Sequence, residues 1–384
     1  MAVKNRVLLV LAILLVLSGT GLSFVSHAPN RLISGQGISL LSLISGSGWW
    51  WLIPILILLT FAFLKQNILL YWLTVLLAEL LLLGVLLLAG KTAVQLAGGG
   101  ESLARTSLGG GFWLMSGMSL LIAVDSLSRA IVNPVWRSVA NVLLLLPVVI
   151  LLMMGQLDQL SLMKEYVNRQ DVFNDALWQH LQILLATLIP AILLGIPLGL
   201  LCFRSHHFQS TIFSTLNIIQ TIPSIALFGL LIAPLAGLAA AIPWLAEHGV
   251  SGIGLAPAIV ALVLYALLPL VRNVVAGLES VPDSVVESAR GMGMTRSQLF
   301  FRVQIPIAMP LILSGIRIVA VQTVGLAVVA ALIGAGGLGA IVFQGLLSSA
   351  LDLVLLGVIP VIVMAVVVDS LFKFMVIFMD TSRR

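Results

Sequence analysis

Residues 284–306 read SVVESARGMGMTRSQLFFRVQIP and form a polar island between long apolar runs. The segment carries Glu287, Arg290, Arg296 and Arg302 in a chain of which only 9% is charged. A membrane protein gains no solvation benefit from interrupting its spans with polar, amphipathic half-helices. We therefore expect this segment to lie outside the membrane and to dock on a soluble partner.

The rest of the chain has the composition of an integral membrane protein. Of its 384 residues, 60% are hydrophobic, which is more apolar side chain than a soluble domain buries. A spanning helix needs about 20 apolar residues, and no stretch shows the alternation of barrel strands. The sequence therefore predicts an all-α polytopic membrane protein with about ten transmembrane helices. The candidate spans lie at roughly 7–26, 49–64, 68–90, 111–131, 139–155, 181–203, 211–235, 253–276, 308–333 and 353–378.

The basic residues predict an orientation for these spans. With the N-terminus placed in the cytoplasm, thirteen of the 19 Lys and Arg residues face inward, five face outward and Arg317 lies inside a span. Cytoplasmic loops of membrane proteins carry such an excess of positive charge. The bias predicts that both termini are cytoplasmic and that residues 284–306 are cytoplasmic too.

The chain changes character near residue 156. The earlier spans are Leu-rich, whereas the later five are rich in Pro and Gly, as in helices that move or line a pathway. Pro and Gly are also simply common in membrane helices, which remains the alternative. We predict an accessory membrane module of about five spans at 1–155, a polar connector on the outer face at 156–180, and the working core at 181–384.

Two capping boxes predict the shape of the polar island. Ser284 with Glu287, and Thr295 with Gln298, have the spacing at which each side chain satisfies the backbone N–H of the other. Pro306 marks the return to the membrane. The prediction is a bent pair of short helices with an elbow formed by Gly291 and Gly293. An ordinary solvated loop with capped helices is the alternative.

The segment 284–306 also resembles a known motif. Glu287-Ser288-Ala289, Gly293 and Val303-x-Ile305-Pro306 match without a gap the EAA motif of ABC importer permeases, E-A-A-x-x-x-G-x₉-I-x-L-P. The departures are Ser for the first Ala, Val for Ile and Ile for Leu. In that family the motif is a coupling helix that docks on the ATP-hydrolysing subunit. The resemblance implies an ATPase-coupling role for Glu287, Ser288, Ala289, Gly293, Arg296, Ile305 and Pro306.

The resemblance extends over about residues 178–384. Short motifs at 220–224, 264–273, 315–317 and 334–339 are similar to osmoprotectant (glycine betaine, choline, carnitine) permeases of the type I, MetI-like importer fold. The five extra N-terminal spans resemble YehY-type glycine betaine permeases. This implies a permease subunit in the bacterial inner membrane that translocates substrate delivered by a periplasmic binding protein. The implied partners are a pair of ABC ATPase subunits, a second permease subunit (a shorter relative or a second copy), membrane lipid and a glycine betaine-like solute, with no nucleic acid.

The chain carries no catalytic set of its own. It lacks the Walker A sequence, so ATP hydrolysis is expected on a separate subunit, and we expect neither a cofactor nor a metal here. The lone Cys202 excludes an internal disulfide. The G-x-G-x-x-G at 334–339 follows a membrane span rather than a strand, which favours a glycine-packed turn over a dinucleotide site.

A quaternary ammonium solute prefers aromatic faces. Tyr265 is therefore the leading candidate for the substrate pathway, although packing is the alternative for this residue and for its polar neighbours. Two other functions stay open: an importer for another small solute such as an amino acid, and an ion-coupled secondary transporter or channel. The remaining pathway candidates are Gln220, Thr221, Pro223, Asn273 and Gln322.

Overall fold

The computed structural model of the protein describes residues 3–30, 33, 35–44, 53–98 and 103–379. The chain divides into two compact units, Met1–Asn168 and Arg169–Arg384, so the division falls inside the predicted connector. Within the described part, eight helices are long and apolar enough to cross a membrane. The predicted all-α polytopic membrane fold is confirmed.

The first unit consists of helices that pack around one hydrophobic core, together with a small sheet. Its three strands are antiparallel and lie in the order β2-β1-β3. The sequence analysis did not predict them because they are only four to six residues long and adjoin apolar helices. The elements are α1 (Arg6–Gly21), β1 (Ser23–Ala28), β2 (Gln36–Ser39), α2 (Leu40–Ile44), α3 (Ile53–Phe61), α4 (Ile68–Ala97), β3 (Arg105–Leu108), α5 (Gly110–Ala130), α6 (Pro134–Leu143), α7 (Leu146–Met153) and α8 (Ser161–Asn168).

Two predicted spans of this unit differ from the structure. The span at 7–26 is wrong at its end, because α1 stops at Gly21 and strand β1 follows, where Phe24 and Val25 are fully buried. In the span at 49–64 the structure has the nine-residue helix α3, and residues 49–52 lie outside the described part of the chain. The span predicted at 139–155 overlaps the apolar stretch Pro134–Met153, which comprises α6 and α7 and ends two residues earlier.

The second unit is built around one central helix. Its elements are α9 (Gln170–Arg204), α10 (His206–Thr221), α11 (Ser224–Ala241), α12 (Pro243–Glu247), α13 (Leu255–Glu279), α14 (Asp283–Gly291), α15 (Arg296–Leu299), a π turn (Phe300–Gln304), α16 (Ile305–Ala330), a 3₁₀ turn (Ala331–Ile333), α17 (Leu338–Leu347) and α18 (Leu351–Met379). Helix α13 is buried along its length and packs against α9 and α16.

Small residues allow the three helices to approach closely. A Cβ added to Gly199 of α9 would lie 2.6 Å from the Cβ of Val274 in α13. A Cβ added to Gly315 of α16 would lie 2.5 Å from the Cβ of Asn273, the residue before Val274 in α13. Membrane helices use such small residues because close backbone contact, rather than the hydrophobic effect, holds them together.

The predicted single span at 211–235 is wrong. Helix α10 ends at Thr221 and α11 begins at Ser224, with extended backbone at Ile222 between them. Pro223 lacks a backbone N–H and disfavours helical geometry at the residue before it, so the helix breaks at this point. The break gives this part of the core two short helices in place of one span.

Candidate coupling site

The first helix of the polar island is α14, and its start differs from the prediction. The capping box of Ser284 and Glu287 is wrong, because α14 begins at Asp283 with Pro282 as its N-cap and without a side-chain cap. Asp283 in the first turn interacts favourably with the positive end of the helix dipole. An acidic first turn therefore replaces the predicted hydrogen-bonded cap.

The predicted glycine elbow is confirmed. Helix α14 ends at Gly291, and the backbone N–H of Gly293 donates to the carbonyl of Arg290 at 2.9 Å. The N–H of Met294 donates to the carbonyl of Ala289 at 3.2 Å. Gly293 has a φ of +82°, a left-handed conformation that glycine adopts without steric cost. The chain can therefore reverse direction between the two helices only with glycine, or at a cost in strain.

The second capping box is present as predicted. The N–H of Gln298 donates to the Thr295 hydroxyl at 3.3 Å, and the N–H of Thr295 donates to the Gln298 side-chain oxygen at 2.9 Å. However, the helix that it opens does not stop before Pro306. It runs through the π turn, where the N–H of Ile305 donates to the carbonyl of Phe300, and on into α16. The second short helix and a membrane span are therefore one continuous helix.

The residues of the EAA-like motif divide into an exposed and a packed set. Ala289 is 2% exposed on α14, which contacts α15 and the π turn, and half-buried Ile305 packs against the hydrophobic core of the unit. Glu287 and Arg296 are exposed, and within the described residues neither side chain has a hydrogen bond or an ion pair. The exposed members are Glu287, Ser288, Gly293, Arg296 and Pro306.

The sequence analysis missed the contacts that anchor and surround this surface. The Arg204 guanidinium at the end of α9 lies 5.6 Å from the centre of the Phe300 ring, within the range of a cation–π contact. Met292 and Phe301 are 71% and 66% exposed, so large apolar side chains accompany the exposed charges. The sequence signal that could have indicated this surface was the presence of large apolar residues within the polar segment 284–306. Large exposed apolar side chains beside a polar rim are typical of a protein-binding surface.

The pathway candidates gather where α10 breaks. Tyr265 of α13 is buried, and its hydroxyl donates to the carbonyl of Ile222 in the break. In return, the Gln220 amide donates to the backbone carbonyl of Tyr265 at 2.7 Å. That carbonyl is free because its usual helical partner would be the N–H that Pro269 lacks. The two hydrogen bonds thus join the break before Pro223 to the part of α13 where Pro269 leaves a carbonyl free.

Of the other pathway candidates, two lie at the break and two lie elsewhere in the core. Thr221 is exposed, and its hydroxyl donates to the carbonyl of Ile218 in its own helix. Pro223 precedes α11 directly and completes the break. Asn273 donates to the carbonyl of Pro269 and lies against Gly315, and Gln322 is half-buried on α16. The structure thus brings Gln220, Thr221, Pro223 and Tyr265 together, and their contact with a substrate stays a prediction.

We expect Tyr265→Phe to loosen the break between α10 and α11. The substitution removes one hydroxyl and leaves the carbonyl of Ile222 without that donor, which costs roughly 1–3 kcal/mol for a buried group. The check is the thermal unfolding of the purified protein in detergent. Thr221→Val is the control, because that hydroxyl only bonds within α10. Equal unfolding midpoints for both variants would contradict the prediction.

The glycine-rich stretch at 334–339 is a packed turn, as predicted. Gly334, Gly336 and Gly337 all have positive φ, and the N–H of Gly337 donates to the Gln179 side chain at 3.0 Å. A Cβ on Gly336 would lie 2.3 Å from the Gln179 oxygen. The turn follows α16 and a 3₁₀ turn rather than a strand, and it ties the first part of α9 to α17.

Two family models match this chain. Residues 191–377 match the family model described as "Binding-protein-dependent transport system inner membrane component". Residues 4–163 match "ABC transporter permease YehY, N-terminal domain". The carnitine transport permease protein OpuCB of Listeria monocytogenes is 42% identical over half of this chain and 81% of its own length.

The chain is an inner-membrane permease of the binding-protein-dependent ABC transporter family. Other relatives of this permease are the osmoprotectant import permease protein OsmW of Salmonella typhimurium, 39% identical over half of this chain and 85% of that protein, and the choline permease protein OpuBB of Bacillus subtilis, 37% identical over half of this chain and 81% of that protein. An inward-facing MetNI methionine transporter structure covers 55% of this permease and 98% of its own chain, with 22% identity and a TM-score of 0.48. Family membership favours an ATP-driven importer over the ion-coupled alternative.

Proposed function

We propose that this permease subunit translocates glycine betaine or a related osmoprotectant, delivered by a periplasmic binding protein and driven by an ATPase pair. The observation that carries the coupling is the exposed surface of α14 and the elbow, after which α15, the π turn and α16 form one continuous helix. The cargo rests on the relatives, whose names include carnitine, choline and osmoprotectant permeases. We propose that both termini face the cytoplasm.

In this mechanism the segment 287–306 is the part of the permease that receives the movement of the ATPase pair. Closure of the ATPase pair on ATP moves the segment, and the continuous helix through the π turn carries that motion into α16. Helix α16 packs on α13 at Gly315, and α13 packs on α9 at Gly199, so the three helices shift together. The pathway then changes from inward-open to outward-open, as in other two-state transporters that nucleotide biases.

The permease needs partners for this cycle. Residues 181–384 would form one half of the pathway, and a second permease subunit, either a shorter relative or a second copy, would form the other half. Residues 1–155 remain a proposed accessory membrane module, with 156–180 as the connector on the periplasmic side. ATP would bind only to the ATPase pair.

Uptake by reconstituted vesicles tests the proposal. Vesicles that contain the permease, its ATPase and its binding protein are expected to accumulate radiolabelled glycine betaine only with ATP. Choline and carnitine should compete, because they share the quaternary ammonium group, whereas proline should compete weakly. An ATPase variant that binds but does not hydrolyse ATP is the control. Uptake that persists without any ATPase would contradict the importer mechanism. Competition with betaine uptake by proline alone would overturn the cargo assignment.

A further inference from the structure

An ion-paired cluster joins α16 to α18 within the apolar part of the second unit. The Arg317 Nε of α16 lies 2.6 Å from the Asp369 Oδ1 of α18. The Lys373 Nζ, one turn along α18, contacts the other oxygen of the same carboxylate. Arg317 lies roughly 18 Å along α16 from Ile305, at 1.5 Å per residue, and is therefore deep in a span. Charged residues at such depth need partners and are functional candidates by default.

The two ends of α18 are held in different ways. The buried residues of α18 are Leu353, Leu356 and Gly357, all near its start. There a Cβ on Gly357 would lie 2.6 Å from the Val342 side chain of α17, so the backbones touch. From residue 358 to 379 no side chain is fully buried. The second half of α18 therefore lacks the close packing that fixes its first half.

The contacts that this second half makes to the core include two half-buried side chains and the ion pair. Phe372 and Val376 pack against the cluster that contains Ile312 and Ile316 of α16. Apolar contacts alone hold membrane helices together weakly, because lipid tails replace them at little cost, whereas polar contacts between helices persist. The bond between Arg317 and Asp369 is therefore a polar link between this half of α18 and the span that continues the coupling segment.

Resting on the proposed import function, we propose that Arg317 and Asp369 form a positioning pair that makes the second half of α18 follow α16 when the coupling segment moves. The two cations on Asp369 have different roles. Arg317 reaches the carboxylate from another helix, whereas Lys373 reaches it from within α18 at spacing i,i+4. Only the Arg317 contact transmits motion between helices.

The matched variants Arg317→Gln and Lys373→Gln test this difference. Each removes one cation from the same carboxylate, but only Arg317→Gln removes the link between helices. In reconstituted vesicles, we expect Arg317→Gln to lower the amount of betaine carried per ATP hydrolysed by roughly three- to twentyfold, in line with interhelical polar contacts in membranes. Lys373→Gln should leave that ratio within about twofold of wild type. Equal ratios for the two variants would overturn the proposal.

A distance measurement separates this inference from the proposed cargo. Spin labels at Ile307 of α16 and Met375 of α18, both exposed, are introduced after the lone buried cysteine is replaced by Cys202→Ala. We expect Arg317→Gln to broaden the distance distribution between the labels, and Lys373→Gln to leave it as in the parent protein. This readout needs no transport. A narrow distribution in both variants refutes the positioning role, whereas absent betaine uptake by wild type refutes only the proposed function.

A covalent cross-link in place of the ion pair tests the proposal even where Arg317→Gln does not assemble. The double variant Arg317→Cys, Asp369→Cys, in the Cys202→Ala background, is joined in membranes by a short bifunctional thiol reagent. We expect the joined protein to assemble and to recover the ratio of uptake to ATP hydrolysis, and the unjoined protein to show the deficit. If the cross-link is confirmed and the ratio of uptake to ATP hydrolysis does not recover, the proposal is contradicted.

Discussion

Glu287→Arg is expected to abolish ATP-driven uptake while leaving the permease folded. The Glu287 carboxylate is exposed, and within the described residues it has no hydrogen bond or ion pair, so its removal costs the fold little. If it docks on a partner of complementary charge, reversal of its sign places like charges together. Such a reversal weakens association by about 3 kcal/mol, or roughly 100-fold. The measurement is co-purification of the ATPase with the tagged permease, together with betaine uptake.

The chain offers a matched control for this charge reversal. Glu247 is also exposed and ends the short helix α12, which lies at the opposite end of α13 from the coupling segment. Glu247→Arg makes the same change in net charge, about 37 Å away along α13 at 1.5 Å per residue. We expect the ATPase to co-purify normally with this variant. Loss of the ATPase from both variants would point to a general charge effect and against docking at Glu287.

Gly315→Ala is expected to have the second large effect, through packing rather than charge. The added Cβ would lie 2.5 Å from the Cβ of Asn273, so α13 and α16 must separate or bend. Overpacking of this kind costs roughly 1–3 kcal/mol. Because the three central helices would shift together in the transport cycle, we also expect reduced uptake. The measurements are the thermal unfolding midpoint in detergent and the yield of assembled complex.

Gly325→Ala is the control for that substitution. It lies on the same helix, and a Cβ at this position would meet no atom within 4 Å. Alanine favours a helix over glycine by about 1 kcal/mol, so this variant should be as stable as wild type or more stable. The same chemical change is thus expected to have opposite signs at two sites of one helix. Equal destabilisation at both sites would contradict the packing explanation.

Local patterns in the sequence predicted the parts of the fold that local chemistry determines. The long apolar runs predicted most of the spans, and the spacing of Thr295 and Gln298 predicted a capping box whose bonds close within one turn. The glycine at 293 predicted the elbow, because a left-handed residue there is a local requirement. The cap and the elbow depend on residues no more than five positions apart, and sequence patterns report such neighbours directly.

The features that were missed depend on residues far apart in the chain. Arg317 and Asp369 are 52 positions apart, so no spacing rule indicates their pairing. The hydroxyl of Tyr265 and the carbonyl of Ile222 are 43 positions apart, and the sequence indicated an aromatic residue without its partner. The proline at 223 was visible, but an apolar run on both sides concealed the break. Apolar composition reports membrane depth and does not report where a helix is interrupted.

The π turn at Phe300–Gln304 also determines the rotation of the span that follows it. An α-helix turns by about 100° per residue, so the number of residues between the cap at Thr295 and the contact at Gly315 fixes which face of α16 meets Asn273. Removal of one residue from this stretch would turn Gly315 by roughly a quarter of a revolution away from α13. The number of residues between Gly293 and Pro306 therefore fixes the rotation of α16 about its axis as well as its distance from the elbow.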